Sequence, residues 1–200
     1  MRSVFAASVA VTFAWMAMPS MAAAQDRTGV WFALGGGYGS ADVTCKECGA
    51  TDRQSSGVGY LRGGWSLNPQ TRIGVEYDVW TKKQAVETGV EGTVSLSNVS
   101  GTISYYPSPT ANFFVKGGVG ASLVSTEFTV QGSKISADLG KGLGVIVGAG
   151  YDIRVGKRWA VTPAVDFWYG NQGDIKLAGQ TIATDWKQNV LDLTIGVTFR

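Results

Sequence analysis

In eight successive blocks of this chain, apolar residues fall on every second position. Neighbouring side chains of a strand point to opposite faces, so this period predicts two-faced β-strands. The last block is the plainest. Leu191, Leu193, Ile195, Val197 and Phe199 share one parity, and Asp192, Thr194, Gly196 and Thr198 share the other. Val30, Phe32 and Leu34 open the first block; Leu61 and Trp65 mark the second, and Ile73, Val75 and Tyr77 the third. Later blocks centre on Val99 and Ile103, on Val115 and Val119, on Val145 and Val147, and on Val165 and Phe167. No helical period runs through the chain after its first two dozen residues, so it reads as strand nearly throughout.

The residues between the apolar ones decide which solvent lies outside. They are mostly Gly, Ala, Ser and Thr, with few charges. A soluble β-sandwich or lipocalin-like barrel would turn its polar parity to water, and a water-facing surface needs many more Lys and Glu. Small residues instead suit the crowded interior of a narrow eight-stranded barrel. The apolar parity then faces lipid. Connections support this: 68–70, 107–111 and 154–158 are short turns, whereas 41–56, 82–92, 125–139 and 170–188 are longer and polar. Short turns on one side and long loops on the other are the layout of an outer-membrane barrel.

Aromatics predict two interfacial girdles. Trp31, Trp65, Tyr105, Tyr106, Phe113, Tyr151, Trp159 and Phe199 lie toward the short turns, and Tyr38, Trp80, Trp168 and Tyr169 toward the long loops. In the fourth block Val94 and Leu96 fall on the wrong parity, which predicts a bulge or a strand leaving the membrane.

Residues 1–24 read as a cleavable signal peptide: Arg2, then an apolar stretch from Val4 to Met18, then Ala22-Ala23-Ala24 before Gln25. Pro19 and Ser20 end the apolar run short of the ~20 residues of a spanning helix. Residues 25–200 form one barrel domain, and the formal charge of +2 gives no field that would gather nucleic acid.

The stretches "GVWFALGGGYGS" (29–40), "GVGASL" (118–123), "GVIVGAGYDI" (144–153), "VTPAVDFWYG" (161–170) and "GVTFR" (196–200) resemble, in this order, the OmpA/OmpX-like superfamily of small outer-membrane β-barrels. The resemblance implies an all-β, eight-stranded antiparallel transmembrane barrel in a Gram-negative outer membrane, with both termini periplasmic. It also implies insertion by the barrel-assembly machinery, for which Leu193, Ile195, Val197 and Phe199 resemble the terminal signal. Arg200 departs from that signal, in which an aromatic usually stands last. The superfamily shares no one activity.

The inward parity carries Arg62, Glu76, Asp78, Lys116, Asp152, Asp166 and Asp192. Glu76 and Asp192, with Asp166 near them in depth, are expected to pair with Arg62 and Lys116, because an unpaired buried charge is costly. A structural plug is favoured over a proton or ion path. Cys45 and Cys48 sit in the first long loop. C-x-x-C can be a redox site, half a metal site with Asp42, Glu47 or Asp52, or a disulfide; an oxidising compartment favours the disulfide. Closing so short a loop contributes about 2 kcal/mol on a chain-entropy estimate.

Chemistry is hard to place. Histidine is absent, so a Ser-His-Asp triad is impossible. The lipid A deacylase and palmitoyltransferase barrels, similar in architecture, rely on a histidine that has no counterpart here. No strict G-x-G-x-x-G occurs, and no residue set predicts a cofactor, a metal or an enzyme. Eight Lys or Arg and nine Asp or Glu in and beside the longer segments nearly balance. Arg27, Arg72, Arg154, Lys157, Arg158 and Arg200 gather at the short turns and predict either contact with anionic lipid head groups or a solvated face. The expected role is structural or surface-interactive, as a monomer in outer-membrane lipid presenting four extracellular loops; the alternative is a small pore or a carrier of a small or apolar ligand.

Overall fold

The computed structural model describes residues 27–46, 48, 52–87, 90–130, 133–177 and 180–200, so the expected signal peptide lies outside the described residues. The strands are β1 (Gly29–Thr44), β2 (Gln54–Asn68), β3 (Thr71–Glu87), β4 (Val90–Tyr105), β5 (Phe113–Val130), β6 (Ser133–Tyr151), β7 (Ile153–Arg154), β8 (Trp159–Leu177) and β9 (Gln180–Phe199). The two-residue β7 carries β6 onward past Asp152: β6 pairs with β8 up to Gly150↔Ala164, and β7 resumes with Ile153↔Val161. Nine segments thus make eight staves. Every pairing is antiparallel, and β1 meets β9 from Phe32↔Phe199 to Thr44↔Lys187, which closes the ring. Closure pairs every strand on both sides in the lower part of the ring, whereas β2–β3 pairing ends at Gly57↔Thr81 and β6–β8 pairing at Leu143↔Asn171 among the described residues.

Parity then sorts the side chains. Val30, Leu34, Leu61, Val75, Ile103, Val119, Val147, Leu193 and Ile195 all stand outward and exposed. An apolar belt of this extent matches hydrocarbon, and water would not tolerate it on a monomer. Inward positions are mostly polar or small, with the aromatic rings of Trp31, Tyr60 and Phe114 among them. Gly148 shows why: a Cβ there would overlap Asp166 Oδ1 and Lys116 Cε, so this glycine makes room for an ion pair.

The staves are longer than the sequence suggests. The segments expected as long loops are largely strand, with β3 running to Glu87, β4 starting at Val90, and β5 and β6 paired out to Val130↔Ser133. β9 has 20 residues, whereas a spanning strand needs about 9–11. Roughly half of each long stave therefore stands beyond the hydrocarbon.

At the foot of that projecting half the inward face turns apolar, and on β3 and β4 the outward face turns polar. Val58, Trp80, Leu96, Val124, Ile146, Trp168 and Val190 point inward and pack together with Ala41, while polar residues such as Thr81 and Ser55 face out. The parity change at Val94 and Leu96 follows from this inversion. No bulge accompanies it, because β4 keeps unbroken register with β5 from Val90 to Tyr105. Register shifts lie elsewhere, at Ser66/Asn68, Ala85/Glu87 and Val124/Ser125 and at three steps between Asn171 and Lys176. The last three accompany an inward-facing Ile175. The girdles also need correction: Trp31, Tyr106, Trp80 and Trp168 are buried in the lumen, whereas Trp65, Tyr105, Phe113, Tyr151 and Trp159 stand exposed outside.

Candidate functional site: a lumen filled in three layers

The turn end is filled first. Arg27, just before β1, and Tyr106, just after β4, both fold into the barrel mouth and are about 1% exposed. The Arg27 guanidinium lies 4.0 Å from the Tyr106 ring centroid and donates to the carbonyls of Ala111 and Pro69. Tyr106 donates to Asp152 Oδ2 at 2.8 Å and accepts from Arg72 Nη1 at 2.7 Å. Arg200 reaches the same Asp152 oxygen, and Thr162 donates to its partner oxygen at 2.8 Å. Burial first, then the nearby Arg200, Arg154 and Arg72, lower the pKa of Arg27 to about 10 against the opposing effect of Tyr106. Two of the expected head-group contacts, Arg27 and Arg72, are therefore inside the barrel and away from lipid.

The second layer is ionic. Arg62 and Glu76 are cross-strand partners on β2 and β3, with Nε and Oε1 2.7 Å apart. Arg62 Nη2 reaches Asp166 Oδ2 on β8 at 2.6 Å and Asp78 Oδ1 at 3.5 Å, and its guanidinium stacks 3.7 Å from the Tyr60 ring centroid. Lys116 on β5 binds Glu76 and lies 3.0 Å from Asp166 Oδ1. Five of the six expected network residues thus meet in one connected cluster.

Asp192 differs from expectation. Although it is the register partner of Asp166, it forms no ion pair among the described residues and accepts a hydrogen bond from Trp168 Nε1 at 3.0 Å. Strand geometry explains this: Arg62 and Lys116 reach Asp166 from one side, and Asp192 lies beyond it, under the indole. Glu76, Asp78 and Asp166 bring carboxylate oxygens within 4.8 Å of one another, a spacing that could hold a metal ion. Arg62 and Lys116 already fill that role with side-chain cations.

The third layer is the apolar cluster of Val58, Trp80, Leu96, Val124, Ile146, Trp168 and Val190. In the sequence Trp80 and Trp168 read as girdle aromatics and Leu96 as a break in parity, while Val58 and Val190 carry no signal. Inverting the parity rule beyond the membrane would have found them. Trp80 also donates to the Gly39 carbonyl at 3.1 Å, which ties the cluster to β1. At the rim Cys45 and Cys48 form a disulfide with Cα atoms 5.0 Å apart, and Lys46 N donates to Thr184 O at 3.1 Å, docking that turn on β9. At the opposite end Phe199 packs against Trp159 and Phe32, at 4.8 and 5.0 Å between centroids, across the seam.

Between the first and second layers lies a cavity of about 20 Å³, lined by Trp31, Tyr60, Arg72, Glu76, Tyr106 and Asp152 among others. That is room for about one water.

Among solved structures the chain is similar to Ail, the attachment invasion locus protein of Yersinia pestis, in complex with the heparin analogue sucrose octasulfate: 12% identity, 86% of this chain and 99% of that chain covered, TM-score 0.57. It is similar also to Neisserial surface protein A, at 14% identity, 86% and 98% coverage and TM-score 0.55. At such identities the likeness is one of fold. No curated protein matches the chain in sequence. Residues 7–199 match the outer membrane protein beta-barrel domain family; the chain belongs to that family, and its place is the outer membrane.

Proposed function

We propose that this outer-membrane barrel is a closed-lumen scaffold that offers its projecting hairpins to partners at the cell surface, with its short turns and termini on the periplasmic side. The observation that carries this reading is the filled lumen. Two cation-rich or ionic layers and one apolar layer occupy the bore, and the void between the first two holds about one water. A conducting pore needs a continuous wet path, which these layers interrupt. In planar bilayers the purified barrel is expected to give no steady single-channel conductance; stable open steps would overturn the reading.

The nature of the partner is constrained only by charge. Ail is described with a sulfated heparin analogue, but near-balance of acids and bases in the projecting segments here does not favour a polyanion over other surfaces. No enzymatic role is proposed. Within the same fold, Leu193, Ile195, Val197 and Phe199 serve as the assembly signal, and the leader directs export. Replacing Phe199 with Ala should slow insertion by purified assembly machinery while leaving unassisted folding in detergent less affected.

A second reading rests on a specific observation, the apolar cluster facing the lumen in the projecting half. An apolar ligand entering from that end would meet Trp80 and Trp168. Saturable quenching of tryptophan fluorescence by a brominated alkane, abolished in Leu96→Asp, would support a carrier.

A further inference from the structure

We propose that the cavity between the turn-end cluster and the ionic layer is a binding site for one halide-sized anion, held by Arg72 and Trp31. Buried polar atoms with no hydrogen-bond partner line it: Arg72 at Nε and Nη2, Trp31 at Nε1 and Tyr60 at its hydroxyl, whereas Arg62 Nε, also without a hydrogen bond, lies 2.7 Å from Glu76 Oε1. Arg72 is 4% exposed and Trp31 7%, so bulk water does not supply what they lack. A buried donor left unmade costs about 1–3 kcal/mol, and more on a charged group.

The atoms without partners define the ligand. Arg and Trp nitrogens only donate, and a phenol can donate. A water placed among them would bring two more protons, whereas a halide only accepts. The turn-end wall of the cavity is cationic: Arg72 and Arg200 both reach Asp152, and Arg27 stacks on Tyr106, which donates to the same carboxylate.

Both carboxylates that line the cavity are already engaged. Asp152 takes Tyr106, Thr162, Arg72 and Arg200, and Glu76 takes Arg62 and Lys116. A volume of about 20 Å³ admits one monatomic ion or one water and excludes phosphate, sulfate or a lipid head group.

The test uses the full chain in detergent with sodium bromide as probe. Crystals soaked in bromide should show an anomalous peak in this cavity, in contact with Arg72 and Trp31. At constant ionic strength, replacing sodium gluconate with sodium chloride should raise Tm with the logarithm of chloride concentration. The slope should shrink in Trp31→Phe, which keeps the ring and removes one donor, and vanish in Arg72→Gln. A water in the cavity at high bromide, anomalous peaks confined to the barrel surface, or an equal chloride slope in Trp31→Phe would each overturn the proposal.

Discussion

The two halves of each stave obey opposite rules. In the membrane half, apolar residues such as Val75 and Leu193 face out and charges such as Arg62 and Asp166 face in. In the projecting half, Leu96 and Val190 face in and Thr81 faces out. One ladder runs through both, so the backbone is indifferent to the change. Solvent decides which parity is apolar. The lower half is a membrane barrel with a polar bore, and above it the ladders β3 to β6 and β8–β9–β1 continue over an apolar cluster.

The difference also separates how the halves are stabilised. Burying ions costs desolvation that their attraction only partly repays, so the ionic layer favours one arrangement more than it adds net stability, and breaking it is severe. Apolar packing above scales with buried area and tolerates change more gradually.

The largest expected effect is therefore in the ionic layer. Arg62→Met would leave Glu76, Asp78 and Asp166 with Lys116 alone and cost about 3–5 kcal/mol, measured as folding free energy in urea and lipid vesicles. A loss below 1 kcal/mol would mean that the carboxylates are largely protonated in the folded protein.

The inversion itself can be broken on one strand. Val75 and Thr81 share the outward parity of β3. Val75→Arg should cost about 2–4 kcal/mol as a charge in hydrocarbon, whereas Thr81→Arg should stay within about 0.5 kcal/mol as a surface change. Equal costs would place Thr81 in the membrane.

Trp168 joins the two halves, since its ring packs in the apolar cluster and its N–H reaches Asp192. Trp168→Phe should cost about 1.5–3 kcal/mol, the range for a hydrogen bond to a charged group. Its effect should diminish in an Asp192→Asn background, as a double-mutant cycle would show. A modest and local effect is expected at the rim. Replacing Cys45 and Cys48 with Ser should cost about 2 kcal/mol or less. It should speed hydrogen exchange at Lys46, whose N–H bonds Thr184, without moving exchange at Lys116.

Legibility in the sequence followed the same division. Alternation located all eight staves and their outward faces where lipid met a polar bore, because two solvents that differ so strongly enforce strict period two. Toward the projecting end, apolar side chains such as Leu96 and Ile175 lie inside, mixed with Ser122, Gln172 and Gln188. The pattern there weakens enough that strand reads as loop.

Side-chain pairing was only partly readable. Parity placed Arg62, Glu76, Asp78, Lys116 and Asp166 in the bore, but which cation reaches which carboxylate depends on stagger around the ring, which no single strand encodes. Asp192 shows this: correct in face and depth, it met an indole where a cation was expected. Arg27 and Tyr106 lie outside the strands, and parity says nothing about residues that fold back into the mouth.

The continuous ladders above the membrane have one further consequence. Binding by a flexible loop gives up the entropy of ordering that loop, about 0.5–1.5 kcal/mol for each immobilised side chain. Paired strands such as β4 and β5, in register out to Val90↔Val130, have already lost that freedom on folding. A partner that recognises this surface meets a preorganised one, so its affinity should depend on shape match more than on temperature-sensitive ordering.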